Sequence, residues 1–79
     1  MDNNETLAQL LADLFAIDAG SVNDQTSPDT IEKWDSLGMV SLIGELENVF
    51  KIEFSLMEIP MLRSVGLIKE ILAEKGVAF

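Results

Sequence analysis

The chain has no histidine, no cysteine and no tyrosine. Histidine is the usual general base near neutral pH, and with cysteine it supplies most soft metal ligands; cysteine is also the common thiol nucleophile. Zinc, haem and disulfide readings therefore fall away, and neither a metal site nor a catalytic residue is expected. A cysteine-free chain fits any redox compartment equally well. Length is scarce too: 79 residues predict one compact domain over residues 1–79, without internal repeats. A domain of that size buries only about 60–65% of its unfolded surface, and a closed cavity of about 300 Å³ would consume much of its core. A self-contained enzyme is not expected. Positive charge is the third shortage. Five Lys and Arg stand against 14 Asp and Glu, for a net charge of -9 and a pI near 4.1. Such a field repels phosphate backbones and anionic lipid, so neither nucleic acid nor membrane is expected as a partner, whereas basic protein surfaces are attracted. The opening residues Met1 to Glu5 carry no positively charged side chain, so no leader is expected, and no apolar run approaches the roughly 20 residues of a membrane span. A soluble, cytoplasmic monomer is expected. No Asp-x-Asp-x-Asn-Gly loop closed by Glu occurs, which sets a calcium sensor aside.

What is present suffices for a core: 48% of residues are hydrophobic and 24% charged, outside the disordered range. The acids are uneven, with eight acids and one base in residues 1–35 but six acids and four bases in residues 36–79. Leu7, Leu10, Leu11, Leu14 and Phe15 recur at i, i+3, i+4, i+7 and i+8, one stripe of an amphipathic helix. Asp2 and Glu5 have the spacing of a capping box, with Asn3, Asn4 and Thr6 as other candidate caps, and the helix is expected to fail near Ala16 to Gly20, where glycine permits a left-handed stop. Gly20 to Thr30 is rich in Ser, Asn, Asp and Thr and reads as a long loop, with a single turn at Ser27-Pro28. A second helix starts after Trp34, capped by Asp35 or Ser36, with Met39, Leu42, Ile43, Leu46, Val49 and Phe50 on one broad face. Lys51 to Phe54 is too short for a strand without a partner. It reads as an extended connector whose Ile52 and Phe54 plug the core. Ser55 to Glu58 repeats the capping-box form and Pro60 follows, predicting a short helix around Met57 to Ile59. Ser64 then caps a last helix through Val65, Ile68, Ile71 and Leu72, ended by Lys75 and Gly76. The fold class is all-α: a small bundle of three longer helices and one short one.

Among the remaining nucleophiles, Ser21, Ser27, Ser55 and Ser64 lie in loops or at caps, where local hydrogen bonding explains them. Ser36 differs by following a long polar loop at a helix start, where unpaired N–H groups and the helix dipole favour a negatively charged group such as a phosphate ester. The only nearby base is Lys33, before the helix, so modification of Ser36 requires a separate enzyme.

Asp35-Ser36-Leu37, then Leu42-Ile43-Gly44-Glu45-Leu46-Glu47-Asn48-Val49-Phe50, Ile52-Glu53-Phe54, the short helix and Ser64-Val65 together resemble the acyl carrier protein family over nearly the whole chain. The resemblance implies a bundle of three longer helices and one short one, and a 4'-phosphopantetheine arm on the motif serine, here Ser36. A phosphopantetheinyl transferase installs that arm from coenzyme A with magnesium. An acyl group then rides on the arm as a thioester and is presented to acyl-loading, acyl-transfer or condensing enzymes of fatty acid, polyketide or other specialised acyl metabolism, which dock through basic surfaces. The resemblance assigns partner recognition to Asp35, Leu37, Val40, Glu45 and Glu47, with Leu37 and Val40 forming an exposed apolar patch. Carriers of bulk fatty acid synthesis place more acids on the second helix, where this chain has Gly38, Ser41, Gly44 and Asn48. The two glycines either admit a partner or the arm, or are merely tolerated at exposed positions. Trp34 resembles carriers of specialised pathways; its simpler reading is a large side chain covering the end of the bundle. Met39, Met57 and Met61 either fill gaps or line a space for an acyl chain. A small acidic helical adaptor that binds a basic protein without a prosthetic group is the alternative from composition alone.

Overall fold

The computed structural model describes residues 2–79, and the regular structure within them is entirely helical. Helix α1 spans Asn3–Phe15, α2 Ser36–Phe50 and α3 Val65–Glu74; three-residue 3-10 turns lie at Ala19–Ser21 and Ile59–Met61. This is the expected bundle of three helices, with the short fourth element reduced to a 3-10 turn. None of the helices is long and apolar enough to cross a membrane.

Local chemistry explains most helix ends. Asp2 Oδ1 accepts the Glu5 N–H at 2.8 Å and Ser64 Oγ accepts the Leu67 N–H at 3.1 Å, each satisfying an orphan donor of a first turn. At the end of α3, Gly76 takes φ +97° while its N–H reaches the Ala73 carbonyl and the Val77 N–H the Leu72 carbonyl. Those are the two bonds of a Schellman stop, as Lys75-Gly76 predicts.

α1 ends where expected, at Phe15 with its cap at Ala16, but not on the glycine. The left-handed residue is Ala16, at φ 56° and ψ 47°, with its N–H on the Ala12 carbonyl, and the Ile17 N–H returns to that same carbonyl at 3.1 Å. Gly20 instead sits in the 3-10 turn, its N–H held by Asp18 Oδ1 at 3.0 Å. The chain must reverse directly after Phe15 because Ile17 packs back on the core, and that burial overrides the roughly 1–2 kcal/mol cost of a left-handed L-residue. Ala16→Gly is therefore expected to stabilise the protein by about 0.5–1 kcal/mol, the strain relieved less the entropy gained by the unfolded chain. Urea unfolding at constant m-value measures this, and an unchanged or lower midpoint would show that Ala16 carries no strain.

In α2 the expected face narrows. Leu42 and Leu46 are fully buried, Met39, Ile43 and Phe50 pack partly against the core, and Val49 is exposed. Six apolar residues over four turns cover a wide arc, and only its centre meets the other helices. After the left-handed stop at Lys51, residues 52–54 form no strand, and Ile52 and Phe54 lean on the core as predicted. The short helix expected around Met57 to Ile59 lies further on, at Ile59–Met61, with Pro60 in its first turn. Glu58 accounts for the shift: its Oε1 accepts the Ser55 N–H at 2.8 Å and meets Lys75 Nζ at 2.8 Å, so residues 55–58 close as a turn. Lys75, followed by the Ser55 contact, holds the Glu58 carboxyl below the usual carboxylate range.

The long loop is fastened to α3. The N–H groups of Val65 and Gly66 donate to the carbonyls of Thr26 and Asp24, both at 2.9 Å, and Lys69 Nζ pairs with Asp24 Oδ1 at 2.8 Å. Buried Thr26 accepts the Asn23 N–H on its Oγ1 at 3.0 Å. At Ser27-Pro28 the expected single turn forms, with the N–H groups of Thr30 and Ile31 both on the Ser27 carbonyl. The loop thus satisfies the open end of α3 and delivers Ile31 and Trp34 into the core.

Candidate functional site

Trp34 sets the approach to α2. It is buried, with its ring stacked on Phe15 at a centroid distance of 5.5 Å and 18° between planes. That supports the reading of a large side chain closing the bundle. Its Nε1 is buried with no hydrogen-bond partner among the described residues, a cost of about 1–3 kcal/mol that stacking and burial must exceed.

Immediately after this anchor the chain turns into α2. Asp35 is the cap: its Oδ1 accepts the Gly38 N–H at 2.9 Å and its carbonyl accepts the Met39 N–H at 2.8 Å. Ser36 is consequently the first helical residue, exposed and relieved of capping. The other loop and cap serines are occupied. Ser21 Oγ donates to the Asp18 carbonyl at 2.6 Å, Ser27 Oγ accepts the Asp29 N–H at 3.2 Å, Ser64 caps α3 and Ser55 bonds Glu58. Ser36 Oγ has no hydrogen-bond partner among the described residues and so presents its primary hydroxyl at the positive end of a four-turn helix, a favourable place for a phosphodiester. Its geometry fits a phosphate-linked arm.

Gly38 makes this turn possible. A Cβ there would overlap the Lys33 carbonyl and stand 3.1 Å from the Phe15 ring. The glycine serves the chain's own close approach, which is neither partner access nor tolerance at an exposed position. Gly44 is different, because a Cβ there would meet nothing within 4 Å.

Leu37 and Val40 are 81% and 69% exposed, outside the buried stripe of α2, as the resemblance implied. Asp35 and Glu45 are exposed as well. Glu47 is half-buried, with Oε2 accepting the Phe54 N–H at 2.9 Å, so it braces the connector and has one oxygen left to offer. Glu45 lines a groove of about 470 Å³ between α1 and α2 together with Leu10, Asp13, Leu14 and Val49. Sequence reading did not find this groove, because it depends on Val49 turning outward. The methionine space is not formed: Met57 is 84% exposed and Met61 is at the surface, leaving only Met39 partly packed on the core.

Residues 5–72 match the family model described as "Phosphopantetheine attachment site". No curated protein matches the chain.

Proposed function

From the premise that the chain belongs to the phosphopantetheine attachment site family, we propose that Ser36 is the residue to which the arm is joined. Members of this family are carriers and not enzymes, and this chain is an acyl-carrier-protein-like bundle that presents a covalent phosphopantetheine arm to partner enzymes. The observation that carries Ser36 is its exposed hydroxyl at the first residue of α2, left free because Asp35 does the capping. In the loading reaction Ser36 Oγ forms a bond to the phosphorus of coenzyme A that bears pantetheine. The pyrophosphate P–O bond breaks and adenosine 3',5'-bisphosphate leaves. The hydroxyl proton passes to a base of the transferase, as this chain has no histidine to take it. Once attached, the arm supplies the thiol that the chain itself lacks.

Residues 1–79 are taken as one carrier domain. Asp35, Leu37, Val40 and Glu45, with the remaining oxygen of Glu47, form the proposed partner face, the acids meeting basic groups of acyl-loading, acyl-transfer or condensing enzymes. The same arm serves fatty acid, polyketide or other specialised acyl metabolism.

Intact mass after incubation with coenzyme A, magnesium and a broad-specificity phosphopantetheinyl transferase tests the assignment. The wild-type chain is expected to gain one phosphopantetheine. Ser36→Ala is expected to gain none while staying within about 0.5 kcal/mol of wild-type stability, as an exposed substitution should. Loading of Ser36→Ala would overturn the site. A wild-type chain that stays unmodified would favour the acidic adaptor.

A further inference from the structure

We infer that the groove between α1 and α2 is a second docking site, which takes a basic amphipathic helix of a partner protein and leaves Ser36 uncovered. Its floor is apolar, formed by Leu10, Leu14 and Val49, with Gln9, Asp13 and Glu45 standing around it. Val49 is 41% exposed, so the floor reaches solvent. Along α1 the groove runs from Thr6 to Leu14, about 12 Å at 1.5 Å rise per residue. That length matches about two turns of a second helix, enough for anchors at i, i+3, i+4 and i+7.

Charge says what that helix carries. The two walls, α1 and α2, hold Glu5, Asp13, Glu45 and Glu47 and neither Lys nor Arg. Lys51, the next base along the chain from α2, is outside the lining. Asp13 Oδ1 accepts the neutral Gln9 Nε2 at 2.9 Å, and the ion pairs among the described residues lie elsewhere, at Lys69 with Asp24 and Lys75 with Glu58. An apolar floor edged by uncompensated carboxylates complements leucines flanked by lysine or arginine. It repels a second copy of this chain, which would bring the same acids, and at a net charge of -9 it repels an anionic lipid surface. The groove is also open to solvent, whereas a small-molecule site encloses about 70–90% of its ligand.

Position says what the partner leaves free. Val49 follows Val40 in α2 by about two and a half turns, so the groove and the apolar patch beside Ser36 lie on opposite sides of the helix. From Ser36 to Val49 is about 20 Å along the axis. A helix seated in the groove can stay bound while the arm is loaded and used, which holds the carrier at that partner and raises its local concentration there.

The probe is a fluorescein-labelled peptide of about 14 residues with leucine at i, i+3, i+4 and i+7 and lysine or alanine elsewhere; its control replaces each lysine with glutamate. Fluorescence anisotropy with the full chain is expected to show saturable binding of the lysine peptide at about 1–100 μM and none of the control. Backbone amide NMR shifts are expected to move along the groove and not at Leu37 and Val40. Asp13→Asn combined with Val49→Gln is expected to weaken binding at least about tenfold, whereas Asp29→Asn, at an exposed acid of the loop, stays within about twofold. Asp13→Asn alone, which touches no apolar contact, is expected to weaken it about threefold and carries the test if the double variant melts lower. No saturable binding below about 1 mM, equal affinity for the glutamate peptide, shifts centred on Leu37 and Val40, or unchanged affinity of the Asp13 and Val49 variants each overturns the proposal. So does a phosphopantetheine-loaded protein that binds more than about fivefold weaker than the unloaded one, since the arm would then occupy the groove. Asp13 and Val49 lie outside the face proposed for the acyl enzymes, and the peptide is read on the unloaded chain, so this proposal and the assignment of Ser36 fail separately.

Discussion

Gly38→Ala is expected to lower stability by about 2–3 kcal/mol, the scale of forced overpacking, and to slow the loading of Ser36. The added methyl meets the Lys33 carbonyl and the Phe15 ring. Neither yields easily: the carbonyl belongs to the backbone, and the ring is stacked on Trp34 in the core. Relief requires the Lys33-to-Ser36 segment to move away from α2, which lengthens the Asp35 cap at Gly38 and displaces the serine. In the same helix Gly44→Ala has the opposite sign, since open space surrounds it and alanine gains about 1 kcal/mol in helix propensity. Urea unfolding of the two variants side by side measures the difference. Equal midpoints would show that the close approach at Gly38 is not a constraint on the folded chain.

These two glycines show where sequence reasoning works and where it stops. Both sit in a helical pattern with the same propensity cost, and nothing local separates them. Only the return of the chain from Lys33 to Gly38, a tertiary contact, does. The ends of α1 and α3 at Asp2, Ser64 and Gly76 were legible because a cap is a short-range bond between residue types that favour it. The stop of α1 was legible in place but not in residue: the packing of Ile17 on the core puts the left-handed turn at Ala16 and not at Gly20, and alanine carries no signal of such a turn. Asp35 and Ser36 were equivalent as caps by residue type, and the bond from Gly38 to Asp35 decides between them. The methionines misled because apolar character says nothing about which way a turn faces. Residues 55–58 close around Glu58 and Lys75, leaving Met57 outside. The motif around Ser36 was legible for a different reason. Its serine, flanking acid and following leucine lie consecutively in the chain, so the order of residues already states their neighbourhood.

Leu46→Ala is expected to cost about 2–5 kcal/mol, from lost burial and the cavity left behind. Leu37→Gln and Val40→Gln should each stay within about 0.5 kcal/mol. Leu46 has no exposed surface, whereas most of Leu37 and Val40 is open to solvent, although all three are aliphatic residues of one helix. At about 0.05–0.15 kcal/mol per residue a domain of this size has on the order of 4–12 kcal/mol in total, so the Leu46 loss alone can bring it near unfolding. The surface variants should melt with the wild type yet load more slowly with coenzyme A and the transferase, because an apolar anchor beside Ser36 contributes to binding and not to folding. Melting curves and loading rates on the same samples separate the two roles. If Leu37→Gln and Val40→Gln unfold as readily as Leu46→Ala, both residues are core and no apolar patch flanks the arm. If they are stable and load at the wild-type rate, the patch is exposed but unused. Slowed loading at unchanged stability places the apolar face of α2 in the path by which the transferase reaches Ser36.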